Sequence, residues 1–207
     1  MNFRVKFLAS ILSVSGILCP FQVNAKGDKK VEYKQKQSVQ FYIEDGYRTI
    51  NEGLRGNSRS INQKIAKDIK NISSFIKAHK SGVRTPSILY RGISRKGISE
   101  MWGKDFESYF PELEKETLIE KGFMSTTPNQ KTAEKFIGNS GVILIIRIED
   151  EDVENLEVAY LQKNNQEEEY LFNCGQQLEI ENVDVNTNKR ESKASFIIRC
   201  KAIPCKK

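Results

Sequence analysis

Residues 87–92, SILYRG, mark the point where the pattern of the chain changes. Before them, apolar residues recur every three or four positions, which predicts amphipathic helices. After them, short apolar runs alternate with turn residues, which predicts strands. Because helices come first and strands follow, we expect an α+β domain with helices packed against antiparallel or mixed sheets, not a doubly wound parallel sheet.

Two helices are predicted upstream of this point. The first spans Ser38–Arg55, and Gly56 stands where a helix would stop. Ser60 is expected to cap the second helix, with Gln63 three residues later completing a capping box, and the pattern continues toward Gly82. The apolar stripes indicate core positions at Ile43, Gly46, Tyr47, Ile50 and Leu54 in the first helix and at Ile61, Ile65, Ile69, Ile72 and Ile76 in the second.

Downstream, the pattern is one of strands with two brief helical pieces. The predicted strands are Ile88–Tyr90, Val142–Ile146, Leu156–Leu161, Tyr170–Ile180 and Ser195–Cys200, and the predicted short helices are Ile98–Trp102 and Lys131–Ile137. With the upstream helices, these elements make a single domain over residues 38–207.

The N-terminus has the order of a secretory signal. Residues 1–25 contain a basic start, an apolar run and a small-residue cleavage site, so we expect cleavage after Ala25 and export of the chain. The alternative is a membrane anchor, but the run contains serines and stops at Pro20, short of the roughly 20 residues needed to span a bilayer. Lipidation at Cys19 is disfavoured because the residue directly before it, Leu18, is not small. Residues 26–37 are polar and without periodicity, which predicts a flexible basic leader.

The overall charge gives little support to a nucleic-acid partner. Cleavage would remove two basic residues, so the formal charge of +6 would fall to +4. Outside the basic leader, no stretch interleaves clustered Arg and Lys with aromatic residues, as a single-strand binding groove requires. We therefore expect neither nucleic-acid binding nor stable membrane insertion.

The cysteines and the histidine limit the chemistry further. Cys174, Cys200 and Cys205 would remain after cleavage, which allows one disulfide and one free thiol. The pairing is open, although a bond from Cys174 to either of the others would join the last two strands. His79 is the only histidine, so a Cys/His metal site is not expected and a Ser-His-Asp hydrolase is disfavoured.

Two polar stretches follow apolar strand residues and suit an anionic ligand that contains a sugar. Arg91 follows a predicted strand directly, where its guanidinium can present a fork of donors to phosphate oxygens. Gly92 lets a flat ring approach the main chain. Ser125 and Thr127 are expected on one side of a strand, where their hydroxyls can orient a carboxylate or a sugar hydroxyl.

A third stretch is a run of carboxylates at the start of a strand. Glu167 and Glu169 should project to one face, and Glu168 to the other. Two carboxylates on one face suit chemistry at an anomeric carbon, because one can stabilise positive charge on the sugar and the other can orient or deprotonate the nucleophile. Taken singly, each stretch is more typical of a surface ion pair, a polar strand edge or a solvated loop.

Together, the three stretches resemble a known family. LYRG, GFMSTT and EEEYLF, separated by 34 and 44 residues, are similar to the arginine, serine-threonine-serine and glutamate-x-glutamate motifs of the mono-ADP-ribosyltransferase exotoxins, which include clostridial actin- and Rho-modifying toxins. The upstream Tyr47, Ile50-Asn51 and Leu54-Arg55 also resemble that family's first helix. The resemblance implies N-terminal helices packed on two β-sheets, and NAD⁺ as the substrate, with no metal.

The resemblance also implies roles for the motif residues. Arg91 would bind an NAD⁺ phosphate, and Gly92 would meet the nicotinamide amide through its main chain. Ser125 would hold Glu169, while Thr126 and Thr127 would support the nicotinamide pocket.

By the same resemblance, Glu169 would be the catalytic glutamate, bound to the ribose 2′-hydroxyl as nicotinamide leaves, and Glu167 would engage the acceptor side chain. Phe136 is similar to an aromatic residue that flanks nicotinamide. Asn139 stands where some relatives have an arginine, and Thr127 stands in place of the motif's final serine.

The pair of residues in the glutamate run that matches the family motif, here called the frame, bears on which type of side chain accepts ADP-ribose. Glu167-x-Glu169 resembles arginine-modifying members, whereas Gln166-x-Glu168 resembles those that modify asparagine or glutamine. We favour the first frame, because in the family an apolar strand directly follows the catalytic glutamate, and here that strand begins at Tyr170.

The sequence thus predicts a secreted, arginine-directed NAD⁺:protein mono-ADP-ribosyltransferase that acts on a host protein. By family resemblance the target is actin or a small GTPase, reached with the help of a separate translocation component. Two alternatives stay open. The same site can hydrolyse NAD⁺ with water as the acceptor, or the chain can be a secreted binding module that has kept the fold without catalysis.

Overall fold

The computed structural model describes residues 29–56, 61–102, 113–138, 141–162, 168–185 and 194–205. The predicted signal segment, Ser60, Asn139, Gln166 and Glu167 lie outside the described residues. Among the described residues the helices are α1 (Lys29–Phe41), α2 (Tyr47–Leu54), α3 (Gln63–Ala78), α4 (Arg95–Trp102) and α5 (Gln130–Glu134). The strands are β1 (Ile88–Ser94), β2 (Thr117–Glu120), β3 (Met124–Thr126), β4 (Gly141–Arg147), β5 (Val158–Gln162), β6 (Glu168–Phe172), β7 (Gln176–Val185) and β8 (Phe196–Ile203).

The strands form two sheets. One has five strands in the order β1-β4-β8-β7-β2, and the other has three in the order β3-β6-β5. All pairings are antiparallel except that of β4 with β8, so the larger sheet is mixed. The predicted fold class, α+β with N-terminal helices and two sheets, is confirmed.

The main core lies between the sheets. Leu144 and Ile146 of the larger sheet and Tyr170 and Phe172 of the smaller sheet are buried in one apolar cluster. Ile143, one position away on β4, belongs to a different cluster on the outer face of the larger sheet. The two-residue period of the strands therefore divides their apolar side chains between two faces.

The N-terminal helices cover the other face of the smaller sheet. Ile50, Ile72 and Ile76 of the helices pack with Leu161 and Leu171 of the strands. Burying these side chains is the main favourable contribution to this interface, at roughly 25 cal/mol per Å² of apolar area removed from water. The smaller sheet is thus enclosed on both faces, which explains why its strands are apolar at consecutive positions.

The predicted flexible leader, residues 26–37, is helical from Lys29 onward. Helix α1 packs against α3, partly through polar contacts: the Ser38 hydroxyl donates to Asp68 at 2.7 Å and accepts from the Asn71 amide at 3.0 Å. Because the packed face includes the polar Ser38 beside Val39, a search for apolar periodicity does not single out this helix.

The two predicted helices differ from the structure at their N-termini. The first begins at Lys29, not Ser38, and contains a π-helical turn at Tyr42–Gly46. The second is capped by Asn62, whose side chain accepts from the backbone N–H of Ile65 at 3.0 Å.

The five listed strands are found with one change, β3 corresponds to the strand expected around Ser125, and β2 is an addition. The strand expected over Tyr170–Ile180 is interrupted by a turn in which Gly175 adopts a φ of 86°, a conformation that favours glycine. This turn separates β6 from β7. Strand β2 was not predicted, because its four residues are too few for an alternating pattern to stand out.

The three cysteines Cys174, Cys200 and Cys205 are free thiols, so the one disulfide that their number allows is not formed among them. Cys200 is buried between the sheets, and burial raises the pKa of its thiol far above the usual range.

One short backbone contact joins the two sheets. The Tyr90 N–H donates to the Thr127 carbonyl at 2.7 Å, and the Thr127 N–H donates to the Tyr90 carbonyl at 2.9 Å. Tyr90 belongs to the edge strand of the larger sheet, and Thr127 directly follows β3 of the smaller sheet. The edges of the sheets therefore meet beside Arg91.

The cap assignment is testable. Asn62→Ala should lower the free energy of unfolding by about 1 kcal/mol, because the N–H of Ile65 loses its acceptor. Urea denaturation measures the difference, with the exposed Gln63→Ala as a control that should stay within about 0.5 kcal/mol of wild type. If Ser60→Ala lowers the free energy of unfolding and Asn62→Ala does not, Ser60 is the cap, as predicted from the sequence.

Candidate active site

Arg91 lies on β1, opposite Leu144, with only 12% of its side chain exposed. Its Nη2 donates to Oε2 of Glu120 at 3.3 Å, and its Nη1 makes a long contact of 3.5 Å with the Ser125 carbonyl. Burial lowers the pKa of Arg91, and the charge of Glu120 opposes that effect. Arginine stays protonated under such a shift, so a fixed positive charge is held at this edge of the sheet.

The glycine after Arg91 is required by packing. A Cβ on Gly92 would lie 1.9 Å from the carbonyl oxygen of Ala133, which belongs to α5. The backbone of β1 and the helix that leads to Phe136 therefore approach each other more closely than any side chain permits.

The Ser125-Thr126-Thr127 stretch runs along the end of β3. Thr126 is buried, and its hydroxyl donates to the Tyr170 carbonyl at 2.8 Å. Ser125 is half-buried, whereas Thr127 is buried and accepts from the Asn129 N–H at 3.2 Å. Strand β3 ends at Thr126, so Thr127 belongs to the contact between the sheets and not to a longer strand.

Two residues of the N-terminal helices form hydrogen bonds with the backbone of Phe123, two positions before Ser125. Asn51 donates to the Phe123 carbonyl at 3.1 Å and accepts from the Phe123 N–H at 2.9 Å, just before the motif begins. The buried Tyr42 hydroxyl donates to the same carbonyl at 3.1 Å. Burial raises the pKa of Tyr42, while the charge of Arg91 and hydrogen bonds with Asn51 and Ser125 oppose the shift.

Sequence reasoning did not assign these roles to Tyr42 and Asn51. The feature of the sequence that pointed to Asn51 is the Ile50-Asn51 pair, in which a polar residue directly follows a fully buried one on the same helix.

Glu169 is brought to the site by strand pairing. The three residues Ser125, Thr126 and Thr127 are called the hydroxyl stretch below. Because Thr126 pairs with Tyr170, the adjacent residue of β6, Glu169, is brought next to this stretch. Glu169 is 9% exposed, and its charge acts on both Arg91 and Tyr42. The neighbouring Glu168 is exposed, so consecutive residues point to different environments.

A second acidic residue, Glu120, was not predicted as part of the site. It is fully buried at the end of β2, where Arg55 approaches its carboxylate with Nε at 3.0 Å and Nη2 at 2.7 Å. Burial alone would raise the pKa of this carboxyl, but the charges of Arg91 and Arg55 and the Gly122 N–H outweigh burial and hold the pKa below its usual value.

Arg91, the stretch from Ser125 to Thr127 and Glu169 surround a cavity of about 480 Å³. Of the residues predicted for the site, the cavity is lined by Arg91, Gly92, Ser125, Thr126, Thr127, Phe136 and Glu169; Glu168 and Arg55 also line it. Phe136 is 62% exposed and Tyr47 is 46% exposed, so the cavity has aromatic residues accessible to a ligand. A volume of this order suits a small organic ligand such as a nucleotide.

Residues 22–200 match the sequence model of the family described as ADP-ribosyltransferase exoenzyme. The chain belongs to this family. The family resemblance of the three motifs is thereby confirmed, and the chain is assigned to a family of transferases. A search of curated proteins found no match.

Solved structures share the fold of this exoenzyme family member. The ADP-ribosylating toxin BECa of a binary enterotoxin of C. perfringens, solved with NADH, is 22% identical with a TM-score of 0.61; the match covers 82% of this chain and 43% of BECa. The C3 exoenzyme of Clostridium limosum is 19% identical with a TM-score of 0.59, covering 82% of this chain and 84% of that one. An ADP-ribosyltransferase from Clostridium botulinum is 17% identical with a TM-score of 0.60, covering 87% of this chain and 98% of that one. At these identities, the likeness shows the fold alone.

Membrane spans and metal clusters are both absent from the described part of this family member. None of its helices there is both long and apolar enough to cross a membrane. Within the same residues, no group of three or more His, Cys, Asp or Glu side chains is placed to hold a metal ion.

The lowered pKa of Glu120 predicts a pH dependence of stability. In the unfolded chain this carboxyl titrates near pH 4.5. What the ionised group contributes to the free energy of unfolding is therefore fully present above about pH 4.5 and is lost as the pH falls through the lower pKa of the folded state. Wild type should exceed Glu120→Gln in Tm by roughly 5 °C or more at pH 7, because the variant leaves two arginines without their buried counter-charge.

That difference in Tm should narrow below pH 4.5, as thermal melts at a series of pH values will measure. The control is Glu179→Gln, the same substitution at an exposed position on β7. A difference between wild type and Glu120→Gln that does not change with pH would contradict the prediction.

Proposed function

We propose that this chain is a secreted NAD⁺:protein mono-ADP-ribosyltransferase directed at arginine. The observation that carries the proposal is the cavity itself, which gathers Arg91, the hydroxyl stretch from Ser125 and Glu169 from three distant parts of the sequence. Family membership supports the transfer of ADP-ribose. The BECa structure, solved with NADH, supports a nicotinamide dinucleotide as the ligand.

The charges in the cavity suit the two ends of NAD⁺. Arg91 and Arg55 both line the cavity, both donate to Oε2 of Glu120, and supply guanidinium donors for the pyrophosphate. In this proposal Phe136 flanks the nicotinamide ring, Gly92 meets its amide through the main chain, and Thr126 and Thr127 support the pocket around it.

Glu169 then acts at the reacting ribose. The bond from the anomeric carbon to the nicotinamide nitrogen breaks, nicotinamide leaves with the electron pair, and positive charge develops on the sugar. The carboxylate of Glu169, held by Ser125 and bound to the 2′-hydroxyl, stabilises that charge. A guanidino nitrogen of the target attacks the anomeric carbon, and Glu167 accepts the proton that this nitrogen loses.

The acceptor class rests on the frame of the glutamate run. Glu169 is buried beside the hydroxyl stretch, whereas Glu168 is exposed. This difference supports Glu169 as the catalytic carboxylate and therefore supports the Glu167-x-Glu169 frame, which resembles arginine-modifying members of the family.

Export and a host target complete the proposal. The pattern of residues 1–25 supports secretion before action. By family resemblance the target is a host protein such as actin or a small GTPase. BECa is named as part of a binary enterotoxin, which supports a separate translocation component for this chain as well.

The central test compares two adjacent glutamates. Glu169→Gln should lower kcat for transfer from labelled NAD⁺ to a small guanidino acceptor by about 10²–10³-fold, because the charge that stabilises the transition state is removed. Glu168→Gln is the matched control and should retain most of the activity.

Transfer and nicotinamide release are measured on the same samples. Activity lost in Glu168→Gln and kept in Glu169→Gln would favour the other frame and an asparagine or glutamine acceptor. If wild type neither releases nicotinamide nor labels an acceptor, the proposed function is wrong.

A second test separates transfer from hydrolysis. Glu167→Ala should reduce labelling of the guanidino acceptor by about tenfold or more while nicotinamide release continues, because water replaces the acceptor that Glu167 would engage. Should the wild type release nicotinamide at the same rate with and without acceptor, and label nothing in a host lysate, NAD⁺ hydrolysis is the activity instead.

A further inference from the structure

The buried carboxylate of Glu120 receives four hydrogen bonds. Oε1 accepts from Arg55 Nε at 3.0 Å and from the Gly122 N–H at 2.8 Å. Oε2 accepts from Arg55 Nη2 at 2.7 Å and from Arg91 Nη2 at 3.3 Å. One acidic side chain therefore fixes two arginines that reach it from different elements, the C-terminal end of α2 and the middle of β1.

Glu120 itself is held firmly in the larger sheet. It pairs with Gln176 of β7, and its carbonyl accepts the N–H of Gly175 at 2.8 Å. Its side chain is 0% exposed and does not line the cavity, whereas Arg55 and Arg91 both do. The carboxylate thus contacts the two guanidinium groups away from the surface that a ligand would touch.

The carboxylate of Glu120 offsets the repulsion between the two arginines. Two buried guanidinium groups repel each other, and each loses hydration on burial, so together they are unfavourable without a counter-charge. One carboxylate between them leaves the trio with a net charge of +1. The bonds to Glu120 use two of the five N–H donors of Arg55 and one of those of Arg91, so further donors can serve a ligand.

We infer that Glu120 is a positioning residue that holds Arg55 and Arg91 as a paired receptor for the pyrophosphate of the dinucleotide. This inference rests on the proposed function, because it takes NAD⁺ as the ligand. Glu120 acts only through the two arginines and contacts no reacting atom. Its loss therefore weakens binding of NAD⁺ and leaves the chemical step at saturating NAD⁺ largely unchanged.

The experiment measures NAD⁺ binding by calorimetry, and kcat and KM for nicotinamide release, in wild type and three variants. Glu120→Gln keeps the shape and removes the charge. Glu120→Asp keeps the charge but is one methylene too short for the same contacts. Glu179→Gln is the exposed control on the neighbouring strand. Circular dichroism at the assay temperature confirms that each variant is folded.

For Glu120→Gln we expect the Kd and the KM for NAD⁺ to rise about tenfold or more, with kcat changed less than about threefold. Glu120→Asp should show a smaller rise of both constants, and Glu179→Gln should show none. A merely structural role gives a different result, in which the active fraction and hence kcat fall while KM stays constant.

Four results would count against the inference. If folded Glu120→Gln binds NAD⁺ within about twofold of wild type, the arginines do not need Glu120. If it binds more tightly, Glu120 competes with the pyrophosphate instead of positioning its receptor. Should Glu120→Gln fail to fold, Glu120→Asp decides, and wild-type affinity in that variant overturns the inference. Wild type that does not bind NAD⁺ at all overturns the proposed function first, and this inference with it.

Discussion

The candidate site depends on one pair of backbone hydrogen bonds. Tyr90 and Thr127 exchange N–H···O contacts of 2.7 and 2.9 Å, and these contacts join the edges of the two sheets. Arg91 is next to Tyr90 in sequence, and Ser125 is two residues before Thr127. The pairing of β3 with β6 then adds Glu169. Residues separated by tens of positions become neighbours because main-chain groups pair, so the position of the site depends on the register of the strands.

The helices contribute to the site by fixing that register. Asn51 binds both backbone groups of Phe123, and Tyr42 binds the same carbonyl, so the strand cannot slide before it reaches Ser125. A slip of one residue would exchange the buried and exposed faces of β3. The N-terminal helices, whose apolar face closes the smaller sheet, therefore also orient the hydroxyls that line the cavity.

The sequence predicts the elements whose burial is apolar and misses those whose burial is polar. Strands such as Val142–Ile146 stand out because consecutive side chains enter a core on each face. Helix α1 does not stand out, because its contacts with α3 include the polar Ser38. Glu120 shows the same difficulty most clearly. Between Ile119 and Lys121 it has the pattern of an exposed strand residue, and only the approach of two arginines from distant positions makes its burial favourable.

The motif residues were predicted by chemistry and family resemblance together, and the structure brings those that it describes to one cavity. The net charge of the chain did not contribute to that prediction, because charged side chains of both signs line the cavity. Arg55 and Arg91 contribute positive charge to the cavity wall, and Glu169 contributes negative charge close enough to Arg91 to raise its pKa. Such a site favours a ligand that is itself neutral or weakly charged but has an anionic end and a cationic end. NAD⁺, with its pyrophosphate and its nicotinamide cation, has this distribution of charge. In the proposed reaction, loss of the cationic ring leaves positive charge on the ribose, where a fixed carboxylate is most effective.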